Sequence, residues 1–415
     1  MRIIILEFKK IVKTKSTWIL LALALLLSVL SACLPMAYCY SSYTDEQGNE
    51  ISLTGRASVA YEKQRQADTA GVVTPEKVQA AVEAYHACLN RYGVTESYDL
   101  PEGVYQQEIL PYSPLLHGVK EAFADPDTGM APSIMEIEPE WIDGYYSACE
   151  NRIVNLMKLE QPDSPAIQAR AVEMYRQVEK PFVVYPGFTS NVMDYQNILG
   201  FLVLLFCVVI AAPVFSADYQ SGADDILRCT KNGRIRLGIV KAAVALCIGG
   251  VTFAVCSSVY ILTVNSLFGW ECTRTSIQMV YSIVTLVEMN MGQLQWFFVL
   301  AGLLSVLATV SFTLFLSSRF RNTAASLAAA VVFCIMPVVV YMTVPGAAAT
   351  WICSILPASG VSIQASILYA ITDFKFLNLA GIPVWTPYAM VGANIMEIPL
   401  FLSLAVYSYS RHTVN

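Results

Sequence analysis

The sequence predicts an all-α polytopic membrane protein with six transmembrane helices, an amphipathic N-terminal elbow helix and a mainly helical extracytoplasmic domain. Three observations lead to this prediction. Of the 415 residues, 55% are hydrophobic and 14% are charged. Several apolar runs are long enough to cross ~30 Å of hydrocarbon. Basic residues cluster at the ends of these runs, whereas acidic residues concentrate in one long polar segment, residues 39–194.

The first predicted unit, residues 1–38, contains the elbow helix and the first span. Residues 1–16 carry five basic side chains among apolar ones, which is typical of an amphipathic helix lying in the membrane interface. The uncharged residues 18–38 follow as a span. Because the bases precede it, we expect the N-terminus to be cytoplasmic. The letters "LSAC" at residues 30–33 also have the form of a lipoprotein cleavage box, but an apolar pair follows the cysteine in place of a polar tether.

The second predicted unit is an extracytoplasmic domain, residues 39–194. It has 24 acidic and 11 basic residues, a net charge of −13. Three of its stretches, residues 75–93, 141–160 and 164–180, have apolar side chains at helical spacing, and the first also has Pro near its start and Gly at its end. The charge is suited to attracting cationic peptides, and it is equally what ordinary solubility requires.

Two of the eleven cysteines, Cys88 and Cys149, lie well inside this domain. Outside the cell they are able to form a disulfide. The alternative is a pair of reduced, buried thiols, and the sequence leaves both open.

The third predicted unit, residues 195–415, holds the other five spans. These spans are residues 195–215, 237–262, 296–316, 325–344 and 388–409. Arg319 and Arg321 follow the fourth span and mark its end as cytoplasmic, so both termini lie inside. Residues 346–383 are expected to form a re-entrant outer region. The shorter apolar run at residues 276–287 suits an interfacial or re-entrant helix better than a span.

A polar island between the second and third spans predicts a short amphipathic helix, residues 218–233. Its apolar positions follow helical spacing and leave the charged ones on other faces. They are Tyr219, Ala223, Ile226 and Leu227, with Asp218 and Asp225 among the charged residues. Asn232 and Gly233 are expected to end the helix. Such a helix is suited to docking in a groove of a soluble partner, although a loop helix with only a topological role fits the same pattern.

Glu397 falls near the middle of the last predicted span. A carboxylate is costly there and usually marks function. It is therefore a candidate for a transport pathway, unless it is protonated or bonded to a neighbour such as Tyr388 or Asn394 and only structural.

The polar island and the order of the elements resemble ABC-2-type exporter permeases. The matching positions in the intracellular loop are Asp218, Gly222, Ile226, Leu227, Arg234, Arg236 and Lys241, the last of which opens the next span. The letters "SILPASG" at residues 354–360 resemble the Leu-Pro turn of that family. The large domain between the first two spans is similar to the subgroup with sodium and antimicrobial-peptide exporters. Two departures are Asp at 218, where Glu is commoner, and "CTKNG" at residues 229–233 in place of a Thr-Pro-Ile-type turn.

The resemblance implies a permease subunit of an ATP-binding-cassette exporter in a bacterial plasma membrane. Such a subunit moves an antimicrobial peptide, drug, lipid or ion out of the cell or its membrane. The resemblance also implies a cytoplasmic ATPase that binds ATP and Mg, a second permease copy or paralogue, and contact with lipid, but no nucleic acid. The implied coupling residues are Asp218, Tyr219, Gly222, Asp225, Ile226, Leu227, Arg234 and Lys241. Substrate would pass between two copies along the second and fifth spans, which contain the candidate residues Pro213 and Pro337. Glu397, in the last span, is the third candidate residue of the pathway.

The chain itself is expected to be non-catalytic and to hold no cofactor or metal. It contains no GxxxxGK[ST], GxSxG or HExxH motif and no CxxC pair, so it lacks the residues that cradle a phosphate or build the common hydrolytic sites. Its three histidines stand far apart in sequence. The alternative function is a membrane sensor or channel-like protein with a ligand-binding outer domain and no coupled ATPase.

Overall fold

The computed structural model describes residues 2–44, 47, 49–230 and 233–411. Within these ranges, six helices are long and apolar enough to cross a membrane. They are Lys15–Ala37, Ser190–Ser221, Ile235–Phe268, Met291–Arg319, Thr323–Thr343 and Thr386–Arg411. The sheets of the described chain are limited to three two-stranded ladders. The predicted fold class, an all-α polytopic membrane protein, is confirmed.

The chain begins with helix α1 (Arg2–Val12), which leads into the first span, α2 (Lys15–Ala37). Some apolar side chains of α1, such as Ile3 and Ile11, pack against the membrane helices, while both of its lysines are exposed. Helix α2 continues without a break through residues 30–33, which have the form of a cleavage box. Its buried Ala24, Ser28 and Ala32 stand one helical turn apart, and such small side chains let neighbouring membrane helices approach closely.

A large domain follows α2, and we call it the insertion domain. Its elements are β1 (Tyr40–Thr44), β2 (Glu50–Thr54), α3 (Arg56–Arg65), β3 (Gly71–Val72), α4 (Pro75–Tyr92), α5 (Ser113–Leu116), α6 (Val119–Ala122), α7 (Tyr145–Glu160), α8 (Pro165–Arg176) and β4 (Val183–Val184). Strand β1 pairs antiparallel with β2, and β3 pairs antiparallel with β4. The domain is mainly helical, as predicted, but the sequence did not reveal its two short ladders.

The start and end of α4 illustrate why the sequence predicted these helices. The Thr74 hydroxyl accepts a hydrogen bond from the Lys77 backbone N–H, and Pro75 takes the first helical position, both of which favour a helix start. At the other end Gly93 adopts the left-handed conformation with φ +67°, which a residue without Cβ adopts easily. Helices α7 and α8 likewise fall within their predicted stretches.

The rest of the chain builds five further spans and several shorter helices and strands. Its elements are α9 (Ser190–Ala211), α10 (Pro213–Ser221), α11 (Ala223–Arg228), α12 (Ile235–Phe268), α13 (Met291–Arg319), α14 (Thr323–Thr343), α15 (Ala347–Ile355), α16 (Ile367–Thr372), β5 (Phe376–Leu379), β6 (Ile382–Trp385) and α17 (Thr386–Arg411). Helices α9 and α10 together form the second span, which therefore starts before the boundary predicted at residue 195. Helix α13 lies centrally and packs against α9, α12, α14 and α17.

The run at residues 276–287 is not the helix that was predicted. It contains a single 3-10 turn, Ile277–Met279, in an irregular loop that packs on the insertion domain. Glu121 accepts hydrogen bonds from the Ser282 hydroxyl and the Ile283 N–H, at 2.6 and 3.1 Å. A Cβ on Gly118 would lie 2.1 Å from the Ile283 side chain. The run is apolar because Ile283 completes the core of a folded domain.

The re-entrant character of residues 346–383 stays a prediction. In the structure this region places a buried 3-10 turn, Pro357–Val361, against α9, α13, α14 and α17. The Ser305 hydroxyl of α13 donates a hydrogen bond to the Pro357 carbonyl. A Cβ on Gly360 would lie 2.7 Å from the Ser305 Cβ, so the close approach of this turn requires glycine.

Candidate functional site

The polar island is divided into two elements, whereas the sequence predicted one helix over residues 218–233. Helix α10 extends the second span as far as Ser221, and Gly222 then turns the chain with φ +69°. The six-residue helix α11 follows, and Lys231 and Asn232 lie outside the described residues. The apolar pattern used for the prediction runs across Gly222, where a left-handed residue ends a helix. Asp218 and Tyr219 therefore belong to the second span.

Four charged side chains from three elements meet beside α10, and we call them the charge cluster: Glu7, Lys10, Asp218 and Lys241. The Lys241 ammonium lies 2.5 Å from Asp218 Oδ2 and 3.4 Å from Glu7 Oε2. Lys10 donates a hydrogen bond to Asp218 Oδ1 at 2.5 Å. The cluster therefore ties α1, α10 and α12 together. Lys241 does not open the third span at its end, as the resemblance implied, but lies inside α12.

Two members of the charge cluster are buried, which makes their mutual pairing necessary. Lys241 is 1% exposed and Asp218 2% exposed, so each would be very costly without its partner. Lys241 also donates a hydrogen bond to the Val214 carbonyl, at 3.3 Å. Burial lowers the pKa of Lys10. Its hydrogen bond to Asp218 and the negative charges of Asp218 and Glu7 raise the same pKa by more, so the pKa of Lys10 lies above its ordinary value. All four groups are formally charged and balance to zero.

A break in the second span lies at the start of α10. Helix α9 ends at Ala211, and Pro213 is the first residue of α10. Proline has no N–H to donate and disrupts the helical hydrogen bonds. The Ser317 hydroxyl of α13 occupies the break. It accepts hydrogen bonds from the Phe215 and Ser216 N–H groups, both at 3.0 Å, and donates one to the Ala212 carbonyl at 2.6 Å. The polar groups freed by Pro213 are thereby satisfied within the membrane helices, as lipid requires.

Further hydroxyl groups join α10 to the fifth span. The Ser326 hydroxyl of α14 donates to the Ala212 carbonyl at 3.3 Å, and the Ser216 Oγ lies 3.4 Å from the Thr323 Oγ1. We call Ser216, Ser317, Thr323 and Ser326 the hydroxyl cluster. The sequence reasoning missed all four, although Ser and Thr near a proline in a membrane helix are a recognisable signal.

The aromatic side chain of Tyr219 ties α10 to the last span. Its hydroxyl donates to the Ser318 carbonyl at 3.4 Å, and its ring centroid lies 6.3 Å from that of Tyr409. Tyr409 in turn donates to the Gly233 carbonyl at 3.3 Å. Helix α10 is thus joined by side chains to α17 as well.

Helix α11 presents its middle residues to the surroundings. Asp225 is exposed and Ile226 is 75% exposed, whereas Leu227 is half-buried against the membrane helices. Arg234, which precedes α12, is also exposed. A Cβ on Gly233 would lie 1.6 Å from the Leu227 carbonyl oxygen. Close approach to Leu227, instead of the predicted helix stop, is therefore the reason for glycine at 233.

The candidate pathway residues lie in three different spans. Pro213 marks a break, as described, whereas Pro337 lies inside an unbroken α14. Glu397 lies in α17 and is half-buried. Its Oε2 is buried without a hydrogen-bond partner among the residues that the structure describes. The suggested bonds to Tyr388 and Asn394 are therefore not made by this oxygen, and a role in transport stays a prediction.

Cys88 and Cys149 are free, buried thiols in the structure. Burial raises the pKa of both, that of Cys149 to about 12, so these thiols are protonated at neutral pH and react slowly. Of the two alternatives that the sequence left open, the structure has the pair of reduced, buried thiols. Of the histidines, His86 and His117 each bond a backbone carbonyl, and His412 lies outside the described residues.

Six spans, with a short exposed helix joined through α10 to several of them, define a multi-pass membrane protein. The chain belongs to the ABC-2 family: the family described as ABC-2 family transporter protein matches residues 1–412. No curated protein matches the chain. The resemblance noted in the sequence is therefore confirmed, and the chain is a permease component of an ABC transporter. Family membership favours this function over the sensor or channel alternative.

Proposed function

We propose that this permease is the membrane subunit of an exporter and that a separate cytoplasmic ATPase docks on α11 to drive it. The observation that carries the proposal is the bonding of α10. Helix α10 is joined to α1 and α12 by the charge cluster and to α13 and α14 by the hydroxyl cluster. The same helix leads through Gly222 into exposed α11. A displacement of α11 is therefore transmitted to four membrane elements at once.

Charge supports a cytoplasmic position for α11. Several arginines lie at this end of the spans: Arg234, Arg319, Arg321 and Arg411. Cytoplasmic loops near membrane helices carry such an excess of basic residues. The insertion domain, with its negative charge, lies at the opposite ends of the spans and so faces outward. In this proposal both termini are cytoplasmic and the membrane is the plasma membrane of a bacterium.

The energy source in this proposal is the partner. The chain contains no phosphate-binding GxxxxGK[ST] loop, so ATP and Mg bind to the ATPase subunit and this chain does no chemistry of its own. A second permease, either a copy of this chain or a paralogue, completes the pathway. Glu397, with its unpartnered oxygen, and the break at Pro213 are the features that support a pathway along α17 and the second span.

The docking surface is tested by comparing two isoleucines at opposite ends of the molecule. Ile226 on α11 is 75% exposed and Ile382 on β6 is 65% exposed. We expect the tagged chain, gently extracted from its own cells, to carry a stoichiometric ATPase. Because a charge buried at an interface without a partner is costly, Ile226→Asp is expected to reduce ATPase recovery about tenfold, an affinity loss of ~1.4 kcal/mol. Quantitative mass spectrometry of the purified sample measures this recovery.

The control variant Ile382→Asp introduces the same charge far from α11 and is expected to recover the ATPase like the wild type. Three outcomes contradict the proposal, and the first two concern the wild type and Ile226→Asp. One is a wild-type chain that carries no ATPase, and the other is equal recovery with Ile226→Asp and wild type. Loss of ATPase from both variants would likewise exclude α11 as the specific docking element.

A further inference from the structure

A cleft lies where the outer end of α14 meets α15, α16 and the insertion domain. It encloses about 680 Å³. An adjoining cavity of about 550 Å³ shares Tyr341, Gln364, Tyr369, Asp373 and Phe374 with it. The insertion domain contributes Glu160 and Gln161 from the end of α7 to the larger cleft. Volumes of this size are typical of sites for small organic ligands.

A lysine of the chain itself already occupies a cation position in the cleft. The Lys375 ammonium lies 2.6 Å from Asp373 Oδ2 and 5.5 Å from the centroid of the Tyr341 ring. A carboxylate on one side and an aromatic face on another are the two groups that attract an organic ammonium. The side chains of Lys375 and Asp373 are 42% and 41% exposed, so a ligand is able to reach the pair.

The cleft keeps a surplus of negative charge after this pairing. The charged residues in its described lining are Glu160, Asp373 and Lys375. A third carboxylate, Asp194, stands behind the lining and accepts a hydrogen bond from the Tyr369 hydroxyl at 3.0 Å. An anionic ligand would be repelled by these carboxylates, and the one ammonium that could attract it is already paired. A cationic ligand would be attracted by the same carboxylates.

The remaining lining is suited to the apolar part of such a ligand. Phe374 and Tyr369 line both cavities, and Ala347, Ala349 and Cys353 line the larger one. The lining combines aromatic rings, small apolar side chains and excess carboxylate. Such a lining favours a ligand with a positive charge attached to an apolar group.

We propose that this cleft binds an organic cation with an apolar body, and that the positive group of the ligand takes the place of the Lys375 ammonium between Asp373 and the face of Tyr341. Lys375 occupies the cation position until a ligand enters and then swings toward solvent. This binding does not require the ATPase. Its failure is therefore distinguishable from failure of the coupling proposal.

The experiment uses the full chain in lipid nanodiscs and radiolabelled benzyltrimethylammonium, with empty nanodiscs as background. Equilibrium dialysis measures the dissociation constant. Neopentylbenzene, which has the same shape without the charge, is expected to bind at least tenfold more weakly. Asp373→Asn is expected to weaken binding of the cation about fivefold to tenfold, because it removes the carboxylate that faces the charge.

The variant Lys375→Met tests the proposal through the direction in which the affinity changes. Because it removes the competing ammonium and keeps a side chain of similar length, we expect benzyltrimethylammonium to bind several times more tightly. A gain in affinity does not arise from misfolding. The control Asp99→Asn removes an exposed carboxylate of the insertion domain outside the cleft lining, and it is expected to leave the dissociation constant unchanged.

Three results would overturn the proposal. Weaker or unchanged binding of benzyltrimethylammonium by Lys375→Met would show that the ligand does not take the place of the Lys375 ammonium. Equal affinity for the cation and its neutral isostere would reduce the site to an apolar pocket. Equal effects of Asp373→Asn and Asp99→Asn would attribute binding to the general negative charge of the insertion domain.

Discussion

Asp218 is 2% exposed, and its carboxylate contacts two ammonium groups, those of buried Lys241 and exposed Lys10. Its two carboxylate oxygens contact Lys10 and Lys241 separately, so loss of this one carboxylate leaves two positive charges with only Glu7 to balance them. Because Asp218 lies inside the second span, its replacement is expected to disturb the assembly of the helices, and not merely the binding of a partner.

The variant Asp218→Asn is therefore expected to lose about 3–5 kcal/mol of stability, the usual cost of leaving a buried charge unpaired. Removing Lys241 as well, in Asp218→Asn/Lys241→Met, is expected to recover a large part of that loss. Thermal unfolding of the purified chain in nanodiscs, arranged as a double-mutant cycle, measures both effects. If the stability losses of the two single variants simply add in the double variant, Asp218 and Lys241 do not depend on each other.

Two adjacent serines at the end of α13 allow a matched comparison. Ser317 bonds the break at Pro213, whereas the Ser318 hydroxyl donates only to the Phe315 carbonyl within its own helix. Both are buried. Ser317→Ala is expected to cost about 1–3 kcal/mol, because it leaves buried backbone groups unpaired. Ser318→Ala is expected to change stability by less than about 0.5 kcal/mol, and the same unfolding measurement compares the two. A similar cost for both would reject the bridging role of Ser317.

Glu397 permits a test of the transport pathway. Glu397→Gln keeps the shape of the side chain and removes its ability to ionise. We expect reduced ATP-dependent substrate efflux with unchanged ATPase recovery, since α11 and α10 are not altered. Efflux from cells or proteoliposomes, normalised to the amount of protein, measures the effect. Full efflux in this variant would make Glu397 a structural residue.

At the scale of elements, the spans were predictable because a membrane helix needs ~20 apolar residues and little else. The run at residues 276–287 was not, because burial of Ile283 in the insertion domain produces the same apolar composition as contact with lipid. Sequence pattern does not distinguish these two kinds of burial. The short ladder of β3 and β4 was missed for a different reason: each strand has two residues, too few for an alternating pattern.

The polar island shows how an element is misread when its contacts lie elsewhere in the chain. Tyr219 and Ile226 follow one helical period in the sequence, yet the first packs among the spans and the second is exposed. Gly222, which separates them, was recognised only as part of a family pattern. The charge cluster needed Glu7 and Lys10 from the elbow helix, and no local pattern connects those residues with Lys241.

At the scale of the whole molecule, the insertion domain is joined to the third and fourth spans through the loop between them. Lys63 donates hydrogen bonds to the Phe268 carbonyl and to Glu271, and the Cys272 thiol donates one to the Pro186 carbonyl at 3.0 Å. Tyr175 also donates to the Ile283 carbonyl at 3.0 Å. The domain is therefore expected to follow any movement of α12 and α13.

This loop also sets an order of events during synthesis. The insertion domain precedes α9 and is therefore synthesised before Ile283, yet Ile283 lies in its core against Gly118. In the proposed topology, the loop that carries Ile283 reaches the domain after the third span has been inserted. Until then this part of the core stays open, so complete closure of the domain depends on insertion of the third span.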